Sequence, residues 1–443
     1  MSRLDKERVF APLHVFAVIS LTGSLSFFAF ALLRGSAAFD WLCMRNTGQL
    51  RFVDYFQHVL FSAYPKQLYA IATGPWGCFP PLAYVLYHFL YKLTAITGVN
   101  PTSVNDLLNT DYGLTVFVLY SVLSAFGMML AIDLWNDKRS GKLLFLCLLL
   151  SAPFFAGGLE RGNSVLLVVI FLLIALRWRG SGSAVKREAA MILIAVCAGL
   201  KIYPAVFGLL YLKERRFKEA LRLVAYGALF FFGPFAFFGG VDGIKLWLFN
   251  VMDTMGMDCT GRIEFIKGAV CSLSYIISGK TNTYLASVMT NLFFVLMLFL
   301  SFISGSKYRT VFFLSAIMAL FPGNMHRYAL MLLAIPLVML LMEKGDERIR
   351  DPFVWIEIVG FGCLFSIPTV WGLLTGFRLR FALSDYITYV EFWLYVVAYL
   401  LVLVFCVHEF AAVFKKKEYN QDLKRRHFPG KAGSAPEGEA ELG

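Results

Sequence analysis

Charge is what this chain has least of. Only 16% of its 443 residues are charged, against roughly 25% in an average soluble domain. Apolar residues make up 58%, Phe alone occurs 44 times, and the mean hydropathy is +0.67. No soluble core can hide that much apolar surface, so a soluble globule is excluded; so are a disordered chain, a collagen and a small disulfide scaffold. The sequence also lacks a Walker phosphate loop, a G-x-G-x-x-G turn, a C-x-x-C or H-x-x-x-H pair and an internal repeat. Neither a metal nor a cofactor is therefore expected. What is present reads as an all-α polytopic membrane protein. Its net charge of +12 is then best placed in cytoplasmic loops and gives no reason to invoke nucleic acid.

The first apolar run, Pro12 to Leu33, has about the 20 residues that a spanning helix needs, and Arg3, Lys6 and Arg8 precede it. Further runs lie roughly at 112–134, 142–158, 164–178, 188–201, 203–213, 222–240, 284–304, 309–322, 328–343, 352–375 and 387–411. With 79–97 lying along the outer surface, or dipping in and returning, about twelve passes result and both termini are inside. Short inner loops then carry 27 of the 41 Lys and Arg residues, as the positive-inside rule asks. Making 79–97 a full pass puts the basic loops around Lys138–Lys142 and Arg177–Arg187 outside, against that rule. Residues 1–414 form the membrane domain. The tail 415–443, basic and then rich in Gly, Pro and Glu, reads as disordered, cytoplasmic and resting on anionic lipid.

The stretch from 188 to 213 is short for two passes between two basic loops. It predicts a hairpin of two helices broken at Lys201-Ile202-Tyr203-Pro204, because Pro204 cannot continue a helix. Broken backbone at membrane depth is tolerated where it lines a cavity, so Lys201 is expected in a polar cavity open to the outside. The outer segment 34–111 alternates aromatic and charged residues, as interfacial helices do, and 241–283 has similar character. Cys43, Cys78, Cys259 and Cys271 all fall outside. They form either the in-segment bridges 43–78 and 259–271 or free thiols.

Four segments, in order, resemble a known family. They are FVDYFQHV with QLYA and CFPPLAYVLYHFLY, then ERGNSVLLVVIFLLIAL, then AGLKIYPAVFGLLYLKERRFKEAL, then FPGNMHRYALMLLAIP. Together they span about 54–336 and are similar to glycosyltransferase family 87; the K-I-Y-P string also occurs in the mannosyltransferase of GPI assembly. The family usually has Tyr before its Pro-Pro pair, where this chain has Phe79. The resemblance implies a GT-C fold and a hexosyltransferase, mannose being the best-known donor sugar. It further implies a polyprenyl-phosphate sugar donor, a lipid-linked or glycan acceptor, and a site on the outer face of a bacterial plasma membrane.

The chemistry of such a transfer sets the residue types needed. Phosphate leaves readily, but an acceptor hydroxyl is a poor nucleophile and needs a base, for which one placed carboxylate supplies roughly 10²–10⁴-fold. In-line attack inverts the anomeric carbon, and cations must meet the charge developing on phosphate. Asp54, among aromatics of the outer loop, is the first candidate base and Asp40 the second. Asp253 and Asp258 are weaker candidates. Lys201 is expected to contact the donor phosphate, because a lysine inside an apolar run is costly; the bland alternative is a snorkelling lysine. Arg161, Asn163, Tyr203, His326 and Arg327 complete the expected substrate-binding set. Competing readings are a flippase or transporter for lipid-linked glycan, which predicts paired charges at mid-membrane and repeat symmetry, and a non-catalytic membrane partner of glycan export.

Overall fold

A computed structural model describes residues 3–35, 52–94, 101–110, 112–135, 138–256, 262–323, 327–342, 350–366 and 389–427. Among these residues all regular structure is helical. The longer helices are α1 (Arg3–Arg34), α2 (Val53–Ser62), α3 (Pro81–Thr94), α4 (Gly113–Asp133), α5 (Lys138–Ser151), α6 (Pro153–Arg161), α7 (Val165–Arg179), α8 (Ala184–Leu200), α9 (Phe217–Phe232), α10 (Gly240–Gly256), α11 (Ile266–Ser278), α12 (Thr283–Ile303), α13 (Lys307–Leu320), α14 (Ala334–Met342), α15 (Pro352–Leu364) and α16 (Tyr389–His427). The all-α membrane reading holds. The count of about twelve spans is not confirmed.

Five segments are long and apolar enough to cross a bilayer: Pro12–Leu33, Gly113–Asp133, Phe217–Ala236, Thr283–Ile303 and Leu394–Lys415. The α5–α6 pair makes a sixth if its two helices, bent by 76°, are one span. The bend has a local cause. Ala152 is extended and Pro153 opens α6, so the hydrogen-bond ladder cannot run through. The other apolar runs divide for a physical reason. An apolar run must be buried, but protein buries it as well as lipid does. α7 and α13 are buried nearly all round by neighbouring helices, whereas α4, α9 and α12 present Leu119, Phe126, Leu221, Val224, Leu292 and Phe299 outward. A continuous outer surface of large apolar side chains on a helical bundle is a lipid-facing surface. The ambiguous run 79–97 becomes α3. At 14 residues it rises about 21 Å, short of a hydrocarbon core of about 30 Å.

The segments expected outside dock on one another. A second apolar cluster of Leu68, Tyr69, Tyr84, Phe235, Phe238 and Trp247 joins the 65–79 loop to α3 and α10. Asn250 of α10 donates to the carbonyls of Tyr69 (3.1 Å) and Ala72 (3.0 Å). Trp247 donates to the Cys78 carbonyl (3.2 Å), and the Cys78 thiol donates to Thr254 Oγ1 (3.0 Å). A Cβ at Gly77 would collide with the Ala72 carbonyl and the Asn250 amide, so the close approach requires glycine. Cys43 and Cys259 lie outside the described residues, and with them both candidate disulfides.

The other end of α13 holds a polar network drawn from the loops expected inside. Arg309 pairs with Glu409 (2.8 Å). His408 lies between Glu357 (2.7 Å) and Asp351 (2.9 Å). Tyr308 donates to Glu357 (2.8 Å), and Lys213 donates to the Ser301 and Ser304 carbonyls and to Thr310. Nearly every donor has an acceptor, so this network fastens α12, α13, α15 and α16 together. α16 continues helically to His427, past the Lys415 boundary drawn for the tail. Residues 428–443 lie outside the described part.

Candidate active site

Asp54 sits in the first turn of α2 and is 3% exposed. The start of α2 is set by tertiary contact. Phe52, its N-cap residue, has φ +58°, a left-handed conformation rare for a bulky residue. Its N–H donates to Glu160 Oε1 (3.2 Å), and its ring packs on Phe117 (centroids 4.5 Å apart). The end of α6 therefore holds the beginning of α2.

That junction also supplies the partners of Asp54. Arg161 donates to Oδ1 through Nε (2.9 Å) and Nη2 (2.6 Å), and Asn163 Nδ2 donates to Oδ2 (2.8 Å). Between them Gly162 turns the chain with φ +61°, as glycine does after a helix end. A Cβ there would lie 2.8 Å from Tyr55 Cβ and 2.9 Å from Phe117 Cε2. The turn brings two flanking side chains onto one carboxylate. The other end of the Asn163 amide is fixed as well, since Oδ1 accepts the Val165 N–H (3.1 Å) at the start of α7. The Tyr328 hydroxyl, from the 3₁₀ turn Arg327–Leu333, is a further donor to Asp54. A carboxylate has about four acceptor positions, and Arg161 and Asn163 fill three of them.

Beside this cluster lie polar groups of a different kind. Lys201 caps the C-terminus of α8, where the helix ends before the 3₁₀ turn Tyr203–Gly208. The lysine is 7% exposed. Among the described residues its ammonium has neither hydrogen bond nor ion pair, and it rests 3.4 Å from the centroid of the Phe79 ring. The Tyr203 hydroxyl is buried with no hydrogen-bond partner among the described residues. His58, one helical turn after Asp54, is 0% exposed, and neither ring nitrogen has a partner among the described residues. Its imidazole packs against Phe79 (4.0 Å), Tyr87 (4.9 Å, stacked), Trp76 and Tyr84 (both 5.4 Å). Burial pushes the imidazole down to about 3, only partly opposed by Asp54 and reinforced by Lys201 and Arg161. The ring is thus neutral, with one donor and one acceptor unused.

The structure brings together Asp54, Arg161 and Asn163, with Lys201 in electrostatic reach of Asp54 and Tyr203 in reach of Tyr328. Arg161 and Asn163 meet the carboxylate rather than open space. Arg327 is 1% exposed and passes close to Gly157 of α6. Asp40 and His326 lie outside the described residues. Two site residues were not expected from the sequence. His58 stands at i+4 from Asp54, which puts both on one helix face; that spacing could have found it. Tyr328 had no signal beyond its neighbours. Among the described residues no group of His, Cys, Asp and Glu could hold a metal ion.

The family model of glycosyltransferase family 87 matches residues 78–342, more than half of the chain. The chain belongs to glycosyltransferase family 87. It is therefore a membrane glycosyltransferase. The matched region contains Arg161, Asn163, Lys201, Tyr203, His326 and Arg327, while Asp54 and His58 precede it. No curated relative and no solved structure matches the chain.

Proposed function

We propose that the protein transfers a hexosyl unit, with mannose the first to test, from a polyprenyl-phosphate sugar to a lipid-linked or glycan acceptor, on the outer face of a bacterial plasma membrane and with inversion. One observation carries this reading. A buried carboxylate held by Arg161 and Asn163 lies within electrostatic reach of a buried Lys201 that has no ion pair among the described residues. The first is the base that a hydroxyl needs, and the second suits a lipid phosphate. Arg161 and Asn163 act as positioning residues, because each directs N–H donors onto Asp54. The acceptor hydroxyl takes the place of the Tyr328 hydroxyl on the carboxylate and gives up its proton there. The oxygen attacks the anomeric carbon, the bond to phosphate breaks, and Lys201 meets the charge left on the phosphate oxygen. Tyr203 offers a further donor on that side.

A carrier of lipid-linked glycan is the second reading, and the buried Asp54–Arg161 pair (2.6 Å) is the observation that suits it. Incubating membranes with a panel of radiolabelled polyprenyl-phosphate sugars separates the two. A transferase moves label onto a new product that requires Asp54. A carrier leaves the donor intact on the opposite leaflet.

A further inference from the structure

His58 and Lys201 share an anomaly. Each is a buried polar group with no polar partner among the described residues, and each packs on the same phenyl ring. Phe79 lies 3.4 Å from the Lys201 ammonium and 4.0 Å from the His58 ring, measured to its centroid. The face of an aromatic ring is a weak acceptor for an ammonium or an imidazole N–H. It is a poor substitute for oxygen, and a buried imidazole with both nitrogens unmet is strongly disfavoured. Such groups persist where something else satisfies them for part of the working cycle.

We propose that the Phe79 ring holds the donor's place in the resting protein. A polyprenyl-phosphate sugar displaces it, so that the phosphate takes Lys201 and a sugar hydroxyl takes His58. This rests on the donor class proposed above and adds which residue reads the sugar. The surroundings fit a sugar better than a second phosphate. The imidazole is neutral and can donate and accept at once, as a hydroxyl does, and Trp76, which is only partly buried, lies beside it as a ring on which sugar C–H groups can pack. Phe79 is also able to leave. It is partly exposed, and its backbone is extended (φ −69°, ψ 135°) ahead of Pro80. Pro80 favours that extended backbone, so rotation of the side chain alone clears the space while α3 stays in place.

The test is direct binding to the purified full-length protein in lipid nanodiscs. The probes are farnesyl phosphate and its mannose, glucose, galactose and arabinose esters, the best-bound ester serving as the sugar probe. Wild type should bind that ester more tightly than farnesyl phosphate. His58→Phe keeps a ring and removes both unmet nitrogens. It should erase the preference, a loss of up to roughly tenfold as expected for one hydrogen bond, and leave farnesyl phosphate binding unchanged. Its thermal stability should equal or exceed that of wild type, which a structural histidine would not allow. Lys201→Ala should weaken both probes, and Phe79→Ala should tighten both severalfold. Equal loss on both probes, or no loss, in a stable His58→Phe protein overturns the sugar role of His58. Unchanged or weaker binding in Phe79→Ala overturns the displacement. A wild type that binds farnesyl phosphate but prefers no ester overturns the sugar subsite while leaving the donor phosphate reading intact. A wild type that binds no probe overturns that reading and this inference with it.

Discussion

Replacing Asp54 with Asn is the most informative change, because two expectations for it diverge. From the sequence, the swap keeps size and hydrogen bonding and should cost activity alone. In the structure the Asp54 and Arg161 side chains are 4% and 5% exposed and 2.6 Å apart. Removing one charge leaves the other buried and uncompensated, a change that costs about 3–5 kcal/mol. An amide NH₂ set where Oδ2 was would also face the Asn163 NH₂ (Nδ2–Oδ2 2.8 Å), two donors with no acceptor between them. Asp54→Asn should therefore lose thermal stability and also lose transfer by roughly 10²–10⁴-fold. Pairing it with Arg161→Met removes the orphaned cation. The double variant should regain the part of the loss that the unpaired buried cation causes, yet remain inactive. Thermal unfolding in detergent and transfer from a radiolabelled polyprenyl-phosphate sugar measure the two quantities on the same preparations. A double variant that recovers turnover along with stability refutes the base assignment and leaves Asp54 a structural residue. So does an Asp54→Asn protein within about tenfold of wild type; the catalytic role then passes to Asp40 if Asp40→Asn is inactive, and the enzyme reading of this loop falls if both variants are active.

Lys201→Ala should lower donor use strongly and Lys201→Arg should restore part of it, because a guanidinium carries the charge with different geometry; unchanged donor affinity in Lys201→Ala would return this residue to a snorkelling lysine. Gly162→Ala should destabilise by about 1–3 kcal/mol, combining left-handed backbone with contacts near 2.8 Å to Tyr55 and Phe117, and a stable, active Gly162→Ala would show that the turn can relax. The unfolded chain protonates His58 below about 6.5, whereas the fold resists protonation until about 3. The histidine should therefore have no effect above that window and lower stability progressively as pH falls through it, and His58→Phe should flatten the slope in acid unfolding measurements. Reporters fused after Lys142 or Lys186 should be cytoplasmic and one near Gly74 external; an external Lys142 would reverse the orientation.

The parts of the fold that depend on neighbouring residues were legible in the sequence. The helix end at Lys201 followed from Pro204, and the placement of Asp54 among aromatics followed from the 34–111 pattern. What depends on distant residues was not legible. Arg161 and Asn163 looked like ligands for substrate because each is a polar group interrupting apolar runs, and nothing local says that a carboxylate 107 residues earlier occupies them. The count of about twelve spans was not confirmed for a similar reason. An apolar run reports burial without saying in what, so α13, enclosed by protein, reads like α12, which faces lipid. His58 was hidden by its neighbours, since a histidine in FVDYFQHV looks like one more interfacial aromatic.

The long reach of the contacts around Asp54 constrains how the protein is made. At about 5–20 residues per second, Arg161 is synthesised roughly 5–20 s after Asp54, given the 107 residues between them. Asn250, which pins the Tyr69–Ala72 turn from 178–181 residues away, follows that turn by roughly 10–35 s. Through the first interval the carboxylate lacks Arg161, and through the second the 65–79 loop lacks its contacts with α10. The layer formed by the 65–79 loop and α10 must then assemble late, onto helices already made. A nascent chain halted before Asn250 should show this segment open to protease, and release of the completed chain should close it.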